Sequence, residues 1–232
     1  SAVGNHEFDK PPAVLATQRS WAKYPMLAAN IYKDGQRLFA PYAVFDRGGY
    51  KIAVMGLTTD DTPRMVLPDR VQGLSFRKPA DEAAQLVPQL RARADMVIAA
   101  THMGHYTDGR HGINAPGDVE MARQVKGLDL IVGGHSQDPV CMLGENLRND
   151  AYRPGQPCAP DRQNGTWIVQ AHEWGKYVGR ADFELRDGKV ELLKYQLLPV
   201  NLWLRGPNNT KTLAAERIPE DAQVRAFLQR KW

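Results

Sequence analysis

Three short stretches of this chain gather side chains able to bind a metal ion or move a proton. "AVGNHEFD", residues 2–9, packs Asn5, His6, Glu7 and Asp9 behind a glycine. "THMGH" supplies His102 and His105, and "GGHSQDP" supplies His135 and Gln137. Amide oxygens from Asn5 and Gln137 and imidazoles from the histidines make a mixed oxygen and nitrogen donor set. Such a set suits Zn²⁺, Mn²⁺ or Co²⁺ rather than a thiolate-bound metal. Taken singly, each stretch has a plainer reading: a histidine after an apolar run is more often a hydrogen-bonded core residue, and Asn5 can cap a helix. Three of them in one chain point to a metal-dependent hydrolase.

The elements that must position these residues follow from hydrophobic patterning. "YKIAVMGLTT", "DMVIAATHMGH" and "LDLIVGGHSQDP" are apolar runs of the kind found in strands buried on both faces, and the last two lead into a histidine. Helices are expected at "PAVLATQRSWAK", at "KPADEAAQLVPQLRARA" with a kink at Pro88, and at "GDVEMARQVKG". "PMLAANIY" and "QRLFAPYAVFDR" read as edge or irregular strands. From Gly165 the pattern turns β-rich, with a hairpin at "RDGK", a loop at "RGPNNTKT" and a final helix from "PEDAQVRAFLQRKW". Helices and strands that alternate first, followed by consecutive strands, predict an α/β layered fold with a mixed sheet. In such sheets, sites assemble at the carboxyl ends of strands.

Bulk properties narrow the function classes. At 232 residues, with 43% hydrophobic and 24% charged residues, the chain has an ordinary globular composition. The net charge of +4 is concentrated at one end: from Trp203 onward, six Lys/Arg face three Asp/Glu. A nucleic-acid-binding face is therefore not indicated, and no apolar run approaches the ~18 residues of a membrane-spanning helix. "SAVGNHEFDK" has no basic and apolar signal-peptide regions. Cys141 and Cys158 lie 17 apart in a Pro/Gly-rich stretch without metal-ligand spacing. They are either two separate thiols or a disulfide worth about 3 kcal/mol.

"GNHEFD", "THMGHY", "HGINAPGDVEMAR" and "IVGGHSQDPVC" resemble the metallophosphatase domain of the 5′-nucleotidase family, most of all its bacterial periplasmic UDP-sugar hydrolase/5′-nucleotidase branch. The likeness continues through "LTTDDT", "FRKPADEA" and "NGTWIVQAHEWGKYVGRADFEL" to "YQLLPVNL". It implies the α-β-β-α sandwich of calcineurin-like metallophosphoesterases, with residues 1–203 as catalytic domain. Residues 204–232 would then be a linker and the start of a helix toward a C-terminal nucleotide-binding domain. It implies that Asn5, His102 and His135 bind one metal of a two-metal centre and that Gln137 serves the other. His6 and Asp9 become the catalytic pair, since residues three apart on a turn can face one another and Asp9 can orient the imidazole. Many related phosphoesterases carry Gly-His-x-His where "GHSQ" stands, and the glutamine resembles the nucleotidase branch. His105 is read as a supporting or rim residue, and His111 and His172 as structural or solvent-facing.

The implied reaction is two-metal hydrolysis of a phosphate ester or anhydride of a nucleotide or nucleotide sugar. A 2′,3′-cyclic-nucleotide phosphodiesterase/3′-nucleotidase is the near alternative, and a non-catalytic metal-binding domain the distant one. The resemblance also favours pairing Cys141 with Cys158 and a periplasmic location. The family's Asp-x-His and Gly-Asp motifs, which precede "GNHEFD", are not found at a suitable place here. The expectation is a fold without its first strands, at most one metal site partly retained, an isolated chain that is inactive, and dimerisation through uncovered apolar surface.

Overall fold

The apolar runs line up side by side. The computed structural model describes residues 1–106 and 116–230, so His111 lies outside the described residues. Six strands form the main sheet, in the order Asp161–Gln163, Thr166–Val169, Leu130–Val132, Met96–His102, Tyr50–Thr58 and Tyr42–Arg47. The four central strands run parallel, and the two outer ones pair antiparallel to their neighbours. Thr58, His102, Val132 and Val169 therefore end along one edge, from which the loops at 59, 103, 133 and 170 depart.

One face of this sheet is covered by helices. Ala53, Met55, Leu57, Val97, Ala99, Ile131 and Ile168 pack against Ala83, Leu86, Val87 and Leu90 of the Pro79–Arg91 helix and Val119 and Ala122 of the Asp118–Gln124 helix. The spacing of 83, 86, 87 and 90 is a one-sided helical stripe. Pro88 falls in the last turn of its helix, and the helix runs on to Arg91 without a break. On the opposite face, Met96, Leu130 and Val169 meet Phe183, Leu185 and Val190 of a long hairpin, Tyr177–Arg186 with Lys189–Pro199. Its turn residues, Asp187 and Gly188, both have positive φ, as the Asp-Gly dipeptide foretells. The chain is thus layered α/β with mixed sheets.

A smaller three-stranded sheet, Gln36–Arg37, Ile31–Lys33 and Leu74–Phe76, lies beside a second core of Val3, Phe8, Leu15, Ile31 and Phe39. The Pro12–Trp21 helix contributes Leu15 to that core. Glu82, 1% exposed, ties the small sheet to the helical layer. Its carboxylate accepts from the Tyr32 hydroxyl at 2.9 Å and from Arg37 at 2.6 Å, so the buried charge is hydrogen-bonded and paired.

Some elements differ from the sequence reading. The third apolar run forms a strand only over Leu130–Val132, and Val132 is 44% exposed. "TWIVQAHEWGKYVGRADFEL" splits in two, because His172 and Trp174 take positive φ values that end a strand. "RGPNNTKT" is the tip of a small hairpin, Trp203–Arg205 with Lys211–Leu213. The final helix is Ala222–Gln229, capped by Asp221, whose carboxylate accepts from the backbone N–H of Gln223 and Val224.

Candidate active site

Val3 places the first stretch. Its N–H donates to Leu27 and its carbonyl accepts from the Thr58 hydroxyl at 2.6 Å. Thr58 is in turn held by the fully buried Asn30, whose amide oxygen accepts from the Thr58 N–H. The chain then passes so close to His102 that a Cβ on Gly4 would sit 2.9 Å from the imidazole ring, and only glycine fits. Beyond it, Asn5–Phe8 forms a single 3₁₀ turn. Asn5 is buried, and its Oδ1 lies 2.9 Å from His102 Nε2. The same turn points His6 outward, with its Nδ1 2.8 Å from Asp9 Oδ2 and both side chains open to solvent.

His102 closes the Met96–His102 strand, and His135 follows the neighbouring Leu130–Val132 strand, with ring centroids 5.0 Å apart. Burial pushes the His102 imidazole down to about 4, helped by repulsion from His135 and His6. His135 is lowered too, by burial first and His6 second, with Asp61 opposing. Both rings are therefore neutral near pH 7, with lone pairs available for a cation. Asp61 adds a buried carboxylate: one oxygen accepts from Arg64 at 2.9 Å, and the other has no hydrogen-bond partner among the described residues. "TTDDT" is its only trace in the sequence.

Not every expected residue joins this cluster. Gln137 sits two residues after His135, exposed, with φ of +58°. Among the described residues, no hydrogen bond ties its side chain to Asn5 or the two histidines. His105 is buried and bonded to Asp161 at 2.9 Å, away from the Asn5–His102 contact. His172 stacks on Tyr177, and its Nδ1 accepts from the Glu173 N–H. Cys141 and Cys158 form a disulfide, with Cα atoms 5.0 Å apart.

The donor chemistry fits one divalent cation. Among the described residues no three His, Cys, Asp or Glu side chains converge on one point. Asn5 completes the set, giving one amide oxygen and two neutral imidazoles, and Asp61 places negative charge close to His135. That combination is the borderline one favoured by Zn²⁺ and Mn²⁺.

Comparison with known proteins gives the family. The sequence profile of calcineurin-like phosphoesterases matches residues 1–139. Protein UshA of Yersinia enterocolitica is 63% identical over 207 residues, covering 87% of this chain and 38% of that protein. A 5′-nucleotidase of Vibrio cholerae is 52% identical over 98% of this chain and 43% of its own length. The crystal structure of a 5′-nucleotidase precursor from Thermus thermophilus superposes with a TM-score of 0.62 at 32% identity, over 85% of this chain and 37% of that one. The chain thus spans about two-fifths of the length of these relatives. Since the profile takes in more than half of its residues and reaches from Asn5 to Gln137, the chain belongs to the calcineurin-like phosphoesterase family.

Proposed function

We propose that this chain carries the catalytic residues of a metal-dependent phosphohydrolase acting on nucleotides or nucleotide sugars. The observation that carries the reading is the meeting of Asn5, His102 and His135 at one sheet edge, with the His6–Asp9 pair on the same turn as Asn5. The names of the relatives, UshA and 5′-nucleotidase, supply the substrate class. Residues 1–203 are taken as the catalytic unit and 204–232 as a connecting segment. The Cys141–Cys158 disulfide supports an oxidising compartment, here the periplasm.

Asn5 Oδ1 and the imidazoles of His102 and His135 would hold the cation, and Gln137 would serve a second one. When bound, divalent cations supply Lewis-acid stabilisation of charge on phosphoryl oxygens. The chain's own work is positioning. A carboxylate can only accept, so His6 Nδ1 donates to Asp9 and Nε2 is left free: it donates to an oxygen of the phosphoryl group or leaving group when the ring is doubly protonated, and takes up a proton when it is not. Exposure of both side chains leaves them accessible to a phosphate ester.

The test compares this chain with a fusion in which the two upstream motifs expected from the resemblance are supplied from a relative. Mn²⁺ binding is measured by calorimetry, and hydrolysis is followed with AMP, a UDP-sugar and a 2′,3′-cyclic nucleotide. The expected result is one weak cation site in the chain alone, and two cations with AMP and UDP-sugar hydrolysis in the fusion. A fusion that binds Mn²⁺ but hydrolyses none of the three would overturn the assignment. Turnover of the cyclic nucleotide alone would move it to that substrate class.

A further inference from the structure

The turn after the Met96–His102 strand buries a second histidine that the proposed chemistry does not use. The His105 side chain is 3% exposed and that of its partner Asp161 is 1% exposed. Asp161 Oδ2 lies 2.9 Å from His105 Nε2, and Arg148 Nη2 lies 3.1 Å from Nδ1. A guanidinium has no acceptor, so Nδ1 must accept from Arg148 and Nε2 must donate to Asp161. The ring is fixed in one tautomer and one orientation. Asp161 begins a strand of the main sheet and also accepts from Gln163, so the anchor is rigid.

The backbone of His105 makes the next link. Its N–H donates to Ser136 Oγ at 3.1 Å. Ser136 also bonds the side-chain amide of Gln170, whose Nε2 donates to the Asp138 carbonyl at 2.7 Å. Ser136 stands between His135 and Gln137, which have φ values of +80° and +58°. Non-glycine residues in that region are strained and persist only where the surroundings over-determine them. The surroundings here include Ser136 and its two partners, one from the His105 turn and one from Gln170.

We propose that His105 is a positioning residue: anchored by Asp161, it holds Ser136 and thereby the strained loop that presents His135 to the divalent cation it would share with Asn5 and His102. The loop-holding part stands on the hydrogen bonds alone, whereas the cation part rests on the proposed function. Ligand orientation of this kind is worth roughly 10- to 100-fold in metal affinity in other sites.

The experiment uses His105→Gln, Ser136→Ala and Ser136→Thr in the whole chain. The first reading is amide hydrogen exchange over residues 133–140 without metal, and the second is Mn²⁺ affinity by calorimetry. Ser136→Ala and His105→Gln should speed exchange in that segment while leaving the Pro79–Arg91 helix as slow as in the parent. Both should also weaken Mn²⁺ binding roughly 10- to 100-fold, and Ser136→Thr, which keeps the hydroxyl, should restore both readings. If His105→Gln fails to fold, Ser136→Ala still decides. Unchanged exchange in the loop overturns the proposal whatever the metal does. Faster exchange with unchanged Mn²⁺ affinity overturns its cation part. If the parent itself binds no Mn²⁺ while the loop loosens in the variants, the loop-holding role stands and the metal-centre reading fails.

Discussion

Asn5 Oδ1 and His102 Nε2 meet at 2.9 Å across 97 residues of sequence. No secondary-structure element contains both, so the contact depends on Val3 docking beside Thr58 and on the glycine between. Asn5→Ala removes an oxygen donor and leaves His102 with its other neighbours. Mn²⁺ affinity should fall at least about 10-fold, with less than about 2 kcal/mol lost from folding stability, the range for one buried hydrogen bond. Calorimetric titration alongside urea unfolding separates the two effects. A stability loss with unaltered affinity would remove Asn5 from the cation set.

His6 and Asp9 are bonded at 2.8 Å yet solvent-exposed, so they can be altered without disturbing the core. In the active fusion, His6→Ala should lower kcat by about 10²- to 10⁴-fold, the usual weight of one proton-transfer group. Asp9→Asn should cost less, since the imidazole remains. Neither change should alter Mn²⁺ affinity. Steady-state kinetics on both variants would expose a mere surface pair by an unchanged kcat.

Two buried groups impose opposite pH slopes on stability. Burial pushes the His102 imidazole down from 6.5 to about 4. The unfolded chain therefore binds the proton first, and this stability is present above pH 6.5 and lost as pH falls toward 4. Asp118, fully buried in the first turn of the Asp118–Gln124 helix, is pushed up from 3.8 to about 7 by burial, with the Thr101 hydroxyl opposing. Its contribution is present below pH 3.8 and is lost as pH rises toward 7.

Between about pH 4 and 6.5 the two slopes cancel in part in the parent. Asp118→Asn should leave stability rising with pH across that window, and His102→Gln should leave it falling. Each tenfold change in proton affinity corresponds to ~1.4 kcal/mol, so the divergence between the variants should reach a few kcal/mol. Urea denaturation of both at about pH 4.5, 5.5 and 7 gives the tilt directly. Parallel profiles for the two variants would mean that neither group titrates as its burial demands.

The Cys141–Cys158 bridge closes a loop of Pro/Gly-rich sequence beside a cluster of Tyr152, Tyr177 and Leu197. Replacing both cysteines by serine should lower stability by about 3 kcal/mol on the chain-entropy model. The loss should match that of reducing the parent. Thermal unfolding with and without dithiothreitol makes the comparison, and an unresponsive parent would show that the two thiols are not paired in solution.

How much of this is legible in the residues depends on the range of the interaction involved. Local signals are good guides. The Asp-Gly turn, the 83-86-87-90 stripe and the apolar strand runs all follow from neighbours along the chain. So does the meeting of His6 with Asp9, three residues apart on a turn. Asn5, His102 and His135 can be grouped because each lies in a polar, glycine-containing stretch, the two histidines at the end of apolar runs, but their convergence comes only from strand pairing and the docking of Val3. Long-range polar contacts are hidden. Nothing near His105 announces that its partner is Asp161, 56 residues later, nor does "TTDDT" reveal a buried Asp61 whose charge acts on His135. The hairpin at "RGPNNTKT" escapes a reading by composition because its turn residues outweigh two very short strands.

The parallel arrangement of the four central strands has a kinetic consequence. Residues 5, 102 and 135 become neighbours only after the strands ending at Thr58, His102 and Val132 have all paired. Parallel pairing closes long loops and is slow compared with helix formation. No partly folded chain can display the complete donor set, so cation capture would be among the last events of folding. The time course of Mn²⁺ uptake during refolding would then serve as a clock for sheet closure.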